Sequence, residues 1–228
     1  MIYGYAWDTS STLSFAISIL PILGIGLTVT LKAAATGFAI ALVLGLVFAL
    51  LRRSPYKIIS WPTVVVVEFL RDTPLLVQLF FLYYVLPVYG IVLPAFLTGA
   101  LALGLQYSAY TSEVYRGGIE AIPRGQWEAA QALNLKYAAR MRDVVLPQAF
   151  KIALAPTVGY LVQIIKGTSL AAIIGFVEVT RAGQIVNNAT FQPLVVFSVV
   201  AAIYFVICWP LSLLAARMER KRALALAR

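Results

Sequence analysis

Gln106, Tyr110 and Glu113 recur at i, i+4 and i+7 inside an otherwise apolar run. On a helix those positions share one face. Tyr107 sits beside them, and Gln78, Gln163, Lys166 and Thr168 interrupt other apolar runs. Such groups exchange hydrogen bonds with a polar solute, and Lys166 can also pair with a carboxylate. Gly167 and Thr168 break the run after Lys166, so freed backbone N–H groups can add to an anion site there. Lys166 can equally snorkel to the outer headgroups. The polar face at 106–113 also reads two ways, as a lining for a solute path or as an interface with a second copy. Arg71 lies between Glu68 and Asp72, ahead of Thr73-Pro74. It either walls that path or belongs to an elbow helix, 56–71, lying on the cytoplasmic surface. With no histidine and a single cysteine, Cys208, no transition-metal site is expected.

These groups need elements to hold them. The chain has 228 residues, 61% hydrophobic and 12% charged, and its mean hydropathy is +0.89. A soluble domain carries about 25% charged residues. Long apolar runs recur, so the expected fold is an all-α integral membrane protein. The runs predict five transmembrane helices at roughly 24–51, 70–92, 95–115, 148–174 and 193–216, in a single transmembrane domain over 1–228. A short interfacial helix from Thr12 to Leu20 is expected to break at Pro21. The first apolar run lacks a basic n-region and reads as a span, not a cleaved signal.

The net charge of +9 is distributed as a membrane protein distributes it, and not as a nucleic-acid footprint. Arg52, Arg53 and Lys57 follow the first span. Arg116 to Arg142 fill the polar stretch 116–147, and Arg217 to Arg222 follow the last span. With the N-terminus outside and the C-terminus cytoplasmic, every basic cluster falls inside. Tyr3, Trp7, Tyr83, Tyr84 and Tyr89 then sit near the outer interface, and Trp61 and Trp127 near the inner one. Five spans do not divide into paired inverted halves, so the chain is expected to form half of a pathway.

Residues 125–147, GQWEAAQALNLKYAARMRDVVLP, are polar and helix-prone between apolar runs. Glu128-Ala129-Ala130 is followed after three residues by Asn134, and after nine more by Val144, Val145 and Leu146-Pro147. This spacing resembles the EAA loop of ATP-binding-cassette (ABC) importer permeases, with Asn134 where the pattern has Gly. Asn is the usual second choice at a left-handed helix end, so the turn is expected to survive. Pro123 can start the helix, Trp127 and Leu133 offer apolar anchors, and Leu146-Pro147 is expected to turn the chain into the fourth span.

Beyond the loop, the chain resembles the polar amino acid uptake permeases, the histidine/glutamine permease family, over roughly 26–222. The segments that carry this are GLTVTLKAA at 26–34, EFLRDTPLLVQLFFLYYVLP at 68–87, YTSEVYRGGIEAIPRGQWEAA at 110–130, IIKGTSLAAIIG at 164–175 and TRAGQIVNNATFQP at 180–193. The chain departs from that family at Asp72, where Gly is commoner, and at Gly167, where an acidic residue is common. Part of it is also similar to permeases for ectoine, so the implied solute is a polar amino acid or a related zwitterion. The resemblance implies the type I ABC importer permease fold, placed in a bacterial inner membrane. It implies a second permease chain, identical or homologous, an extracytoplasmic substrate-binding protein and an ATPase subunit that carries ATP and Mg. Gly125, Trp127, Glu128, Ala129, Ala130, Leu133, Asn134, Leu146 and Pro147 would meet the ATPase. Arg71, Gln78, Gln106, Tyr107, Tyr110, Gln163, Lys166 and Thr168 are the candidates for substrate. The chain lacks the G-x-x-x-x-G-K-Ser/Thr pattern of an ATP site, so no cofactor and no catalytic residue are expected on it. An ion- or proton-driven carrier or channel is the alternative.

Overall fold

The computed structural model describes residues 7–226, with side chains described through Arg220. Tyr3 lies outside the described residues, as do the side chains of Lys221 and Arg222. All regular structure among the described residues is helical. Helix α1 spans Thr12–Ser18 and α2 spans Leu20–Arg52. Pro21 falls in the first turn of α2, where its missing N–H costs nothing, so the expected break comes one step earlier, at Ile19.

Helix α3 covers Lys57–Asp72 and α4 covers Leu75–Phe80, extended by a π turn and a 3₁₀ turn to Tyr89. The expected second span, 70–92, is therefore not one helix. Pro74 forces Thr73 into an extended conformation (φ −92°, ψ 138°), which ends α3. Helix α5 runs Ala95–Glu120, α6 Arg124–Ala132 and α7 Tyr137–Ala139. A π segment, Arg140–Val145, joins α7 to α8, Leu146–Gly167, which a 3₁₀ turn carries on to Ile174. Helix α9 is Val179–Thr190 and α10 is Pro193–Leu226.

Among the described residues, three segments are long and apolar enough to cross a membrane: Leu20–Arg52, Tyr137–Ile174 and Pro193–Arg220. Helix α5 has the length, at 26 residues, but its own polar groups keep it out of that set.

The chain forms two compact units. The first gathers the chain up to Phe38 with Pro74–Gly104 and Gln163–Pro210. Its core is periodic: Phe15, Ile19, Ile22 and Leu23 pack with Val179, Ala182 and Val186 of α9 and Val196 and Val200 of α10. Glu178 is fully buried at the start of α9 and caps it, accepting from the N–H groups of Thr180 (2.9 Å) and Arg181 (2.8 Å). The Tyr204 hydroxyl donates to the same carboxylate at 2.7 Å. Gly26 lies under this cap, where a Cβ would meet the Glu178 and Val179 backbone at 3.0 Å.

The second unit holds Ala39–Thr73, Leu105–Val162 and the chain from Leu211 onward. Lipid tails are as apolar as leucine, so helices there associate through close packing of small residues. A Cβ at Gly45 would meet Thr111 at 2.8 Å, and one at Gly118 would meet the Ala149 carbonyl at 2.9 Å. These two contacts bring α2 and α8 against α5.

Candidate functional site

Helix α6 is a short amphipathic helix folded back on the ends of α5 and α8. Ile119, Ile122, Val145 and Ala149 form its floor, and Trp127, Met141 and Ile152 pack on them. Ala130 is buried as well, at 3% exposure. The opposite face carries Gly125, Glu128, Ala129 and Leu133, all exposed, with Leu133 at 76%. Asn134 adopts φ 53° and ends the helix. The Leu135 N–H reaches the Ala130 carbonyl at 3.1 Å and the Asn134 N–H reaches Gln131 at 2.8 Å, the paired bonds of a Schellman turn.

Leu146-Pro147 makes no turn, contrary to the sequence expectation. The chain stays helical from Tyr137 into α8. The π segment before Pro147 shifts the hydrogen-bond pattern, so a residue without an N–H fits there. The Gln148 side chain donates to the Val144 carbonyl at 2.8 Å and to Gln126 of α6 at 3.2 Å, which ties the two arms together.

Just behind this hairpin, charges alternate across three helices. Arg52 at the end of α2 bonds Glu113 of α5, and its other nitrogen lies 3.6 Å from Glu68 of α3. Arg71 of α3 lies 3.2 Å from Glu68 and 3.7 Å from Glu113. Arg116 donates through Nε to Glu113 at 3.1 Å and pairs with Glu120 at 2.8 Å. Each carboxylate thus has a guanidinium beside it, which is the condition for charges to be tolerated at partial burial.

The candidate substrate residues divide between the two units. Arg71, Gln106, Tyr107 and Tyr110 belong to the second. The Tyr110 hydroxyl donates to the Arg71 carbonyl at 3.1 Å, and Gln106 Nε2 donates to the Thr73 carbonyl at 3.4 Å. One acceptor lies in the last turn of α3 and the other at its C-cap, where the break at Pro74 ends the regular helical bonding. The polar face of α5 therefore caps α3. Tyr107, Tyr110 and Tyr160 form a triangle with ring centroids 5.8–6.0 Å apart, and the Arg71 guanidinium lies 5.9 Å from the centre of the Tyr110 ring. In the first unit, Gln78 and Thr168 are buried, and the Thr168 hydroxyl is spent on the Ile165 carbonyl at 2.8 Å. Gln163 and Lys166 are exposed, one turn apart on α8.

Residues 41–223 match the family described as "Binding-protein-dependent transport system inner membrane component". The chain belongs to that family. It is 53% identical over 208 residues to the probable amino-acid ABC transporter permease protein y4tG of Sinorhizobium fredii, covering 91% of this chain and 90% of that protein. It is 36% identical over 202 residues to the L-cystine transport system permease protein TcyB of Bacillus subtilis, covering 88% and 86%. Among solved structures, an amino acid ABC transporter crystallised with histidines superposes with TM-score 0.87 at 36% identity, covering 94% of this chain and 100% of that one. The inward-facing MetNI methionine transporter, at 16% identity and TM-score 0.66, shares the fold.

The protein is thus an ABC importer permease of the inner membrane, working with a substrate-binding protein and an ATPase on a separate subunit. An ion- or proton-driven carrier finds no support in these relationships. Three parts of the permease escaped sequence reasoning. Arg52 reads as a topology marker, yet it anchors the charge cluster. Tyr160 completes the tyrosine triangle from a helix that looks merely apolar. Glu178 reads as a loop residue, although its place before Val-Thr-Arg at a helix start is a legible capping signal.

Proposed function

We propose that this permease forms half of the path for a polar amino acid or similar zwitterion, and that α6 is the element its ATPase grips. The exposed face of Glu128, Ala129 and Leu133, closed by the Asn134 turn and braced from below by Trp127 and Ala130, carries the reading. A small, rigid, half-apolar helix with one free carboxylate suits a cleft on another protein. Gly125 lets that face be approached closely, and Leu146 and Pro147 keep its second arm helical. The amino-acid assignment rests on the relatives' names and on the 36% identity to the transporter solved with histidines.

A second permease chain, identical or homologous, completes the pathway. ATP and Mg sit on the ATPase, and this chain catalyses no reaction itself. The α5 segment and Leu75–Tyr89 act as the remaining spans of a five-span chain, with the N-terminus outside. Gln163 and Lys166, exposed one turn apart on α8, are the best placed of the candidate substrate groups, while Gln78 and Thr168 are buried. Arg71, Gln106, Tyr107 and Tyr110 combine capping of α3 with the inner part of the path.

The test is Glu128→Lys in the assembled transporter. Uptake of radiolabelled amino acid is expected to vanish while the variant reaches the membrane in normal amount. Wild-type uptake by that variant sinks the coupling role.

A further inference from the structure

Three tyrosines meet between α5 and α8, and their hydroxyls are not equivalent. The Tyr110 hydroxyl is spent on the Arg71 carbonyl at 3.1 Å. The hydroxyls of Tyr107 and Tyr160 have no hydrogen-bond partner among the described residues, although both rings are half-buried. These two rings lie 6.0 Å apart, tilted by 52°. The shorter hydroxyls of the same two helices are all spent. Ser108, Thr111, Ser112 and Thr157 return theirs to backbone carbonyls one turn back, at 2.6–2.7 Å. A tyrosine is too long to do this.

The depth of the pair gives those hydroxyls meaning. Tyr107 stands near the middle of α5, about 18 Å by helical rise from Ala95 and about 20 Å from Glu120. Tyr160 stands nine residues after Lys151 and six before Lys166, within the apolar segment Tyr137–Ile174. A hydroxyl without a partner is costly in hydrocarbon, so a lipid-facing site at this depth favours Phe over Tyr. Ring packing alone favours Phe as well, since it makes the same contacts without a polar end. Two tyrosines with uncommitted hydroxyls here mark a face that meets water.

We infer that Tyr107 and Tyr160 face the solute path and hydrogen-bond the polar groups of the solute as it passes. The inference rests on the transport reading above, with α5 and α8 as walls of the path, and adds Tyr160 as a solute-contacting residue. A phenol hydroxyl both donates and accepts. The pair therefore serves the carboxylate and the ammonium of a zwitterion in turn. Being neutral, it holds either one more weakly than a charged partner does. A passage needs that weakness, because a solute held too tightly does not leave. Arg71, beside Tyr110, is paired with Glu68 and Glu113 and so adds no strong trap.

The test uses the complete transporter in proteoliposomes with its binding protein and ATP, in a Cys208→Ser background. Tyr160→Cys should react with a charged methanethiosulfonate reagent, which modifies thiols in water and not in lipid. An equimolar mixture of the proteinogenic amino acids and ectoine should slow that reaction severalfold. Tyr160→Phe should lower uptake of the radiolabelled mixture by about two- to tenfold, the worth of one neutral hydrogen bond. Its melting temperature should stay at the parent value or rise. Where the parent transports normally, an unreactive Tyr160→Cys, a reaction the mixture does not slow, or unchanged uptake by Tyr160→Phe overturns the inference. So does efficient cross-linking of Tyr160→Cys to a second permease chain, since that makes the tyrosine face an interface. If the parent takes up none of the mixture, the transport reading itself falls, and this inference with it.

Discussion

At the scale of single residues, the decisive question is which charges are spent and which are free. Glu113 is spent: Arg52, Arg71 and Arg116 all surround it at 20% side-chain exposure. Glu113→Gln leaves those guanidiniums partly buried without their shared anion. It should cost about 2 kcal/mol, the range of a charged hydrogen bond, and lower the melting temperature of the detergent-solubilised permease. An unchanged melting temperature would mean the cluster is only a surface arrangement. Lys166 is free. A zwitterion stripped of water needs its carboxylate matched, and Lys166 is an exposed cation in the last turn of α8, where the helix tightens to 3₁₀ without the break that the sequence suggests. Lys166→Met keeps the apolar stem and removes the charge. Transport should fall by more than about tenfold, and the ATPase should respond less to loaded binding protein. If both stay at wild-type levels, Lys166 merely snorkels, and the path runs past Gln78, Tyr107 and Gln163.

At the scale of elements, the hairpin around α6 was legible and the α3–α4 segment was only half so. Asn134 could be read as a left-handed helix end because few other residues tolerate that geometry, and its φ is 53°. Asn134→Gly should therefore preserve transport and thermal stability. Asn134→Val, which forces a branched side chain into the same conformation, should cost about 1–2 kcal/mol. It should also expose the 132–136 turn to limited proteolysis. Equal protease resistance of the two variants would show that the turn is held from elsewhere. The break at Thr73-Pro74 was visible as a proline, yet whether α3 joins the next span depended on who satisfies its last carbonyls. Gln106 and Tyr110 do so from more than thirty positions away, and no local pattern announces that. The partnership of Arg52 with Glu113, 61 residues apart, is equally invisible, because it follows from the close approach of α2 and α5 at Gly45.

For the molecule as a whole, the order of helices was readable because it rests on composition. Length and hydropathy identify three spans directly. They fail on α5 because the groups that cap α3 and hold the charge cluster also make α5 polar. The orientation makes a firm prediction. A reporter fused after Arg222 should be cytoplasmic, and one inserted at Val88-Tyr89, ahead of the left-handed Gly90, should be external. Protease protection of spheroplasts and inverted vesicles reads both positions. The opposite result at either one overturns the five-span arrangement.

The missing turn at Leu146-Pro147 has a mechanical meaning. With a joint there, a push on the hairpin would be absorbed locally. Instead, Tyr137 to Gly167 is a single lever about 45 Å long by its helical rise. The points of compliance along the lever are the π segment at Arg140–Val145 and Pro156, where the regular bonding is interrupted. On the coupling role proposed for α6, the stiffness of those two points sets how much of an ATPase stroke passes from the hairpin into α8.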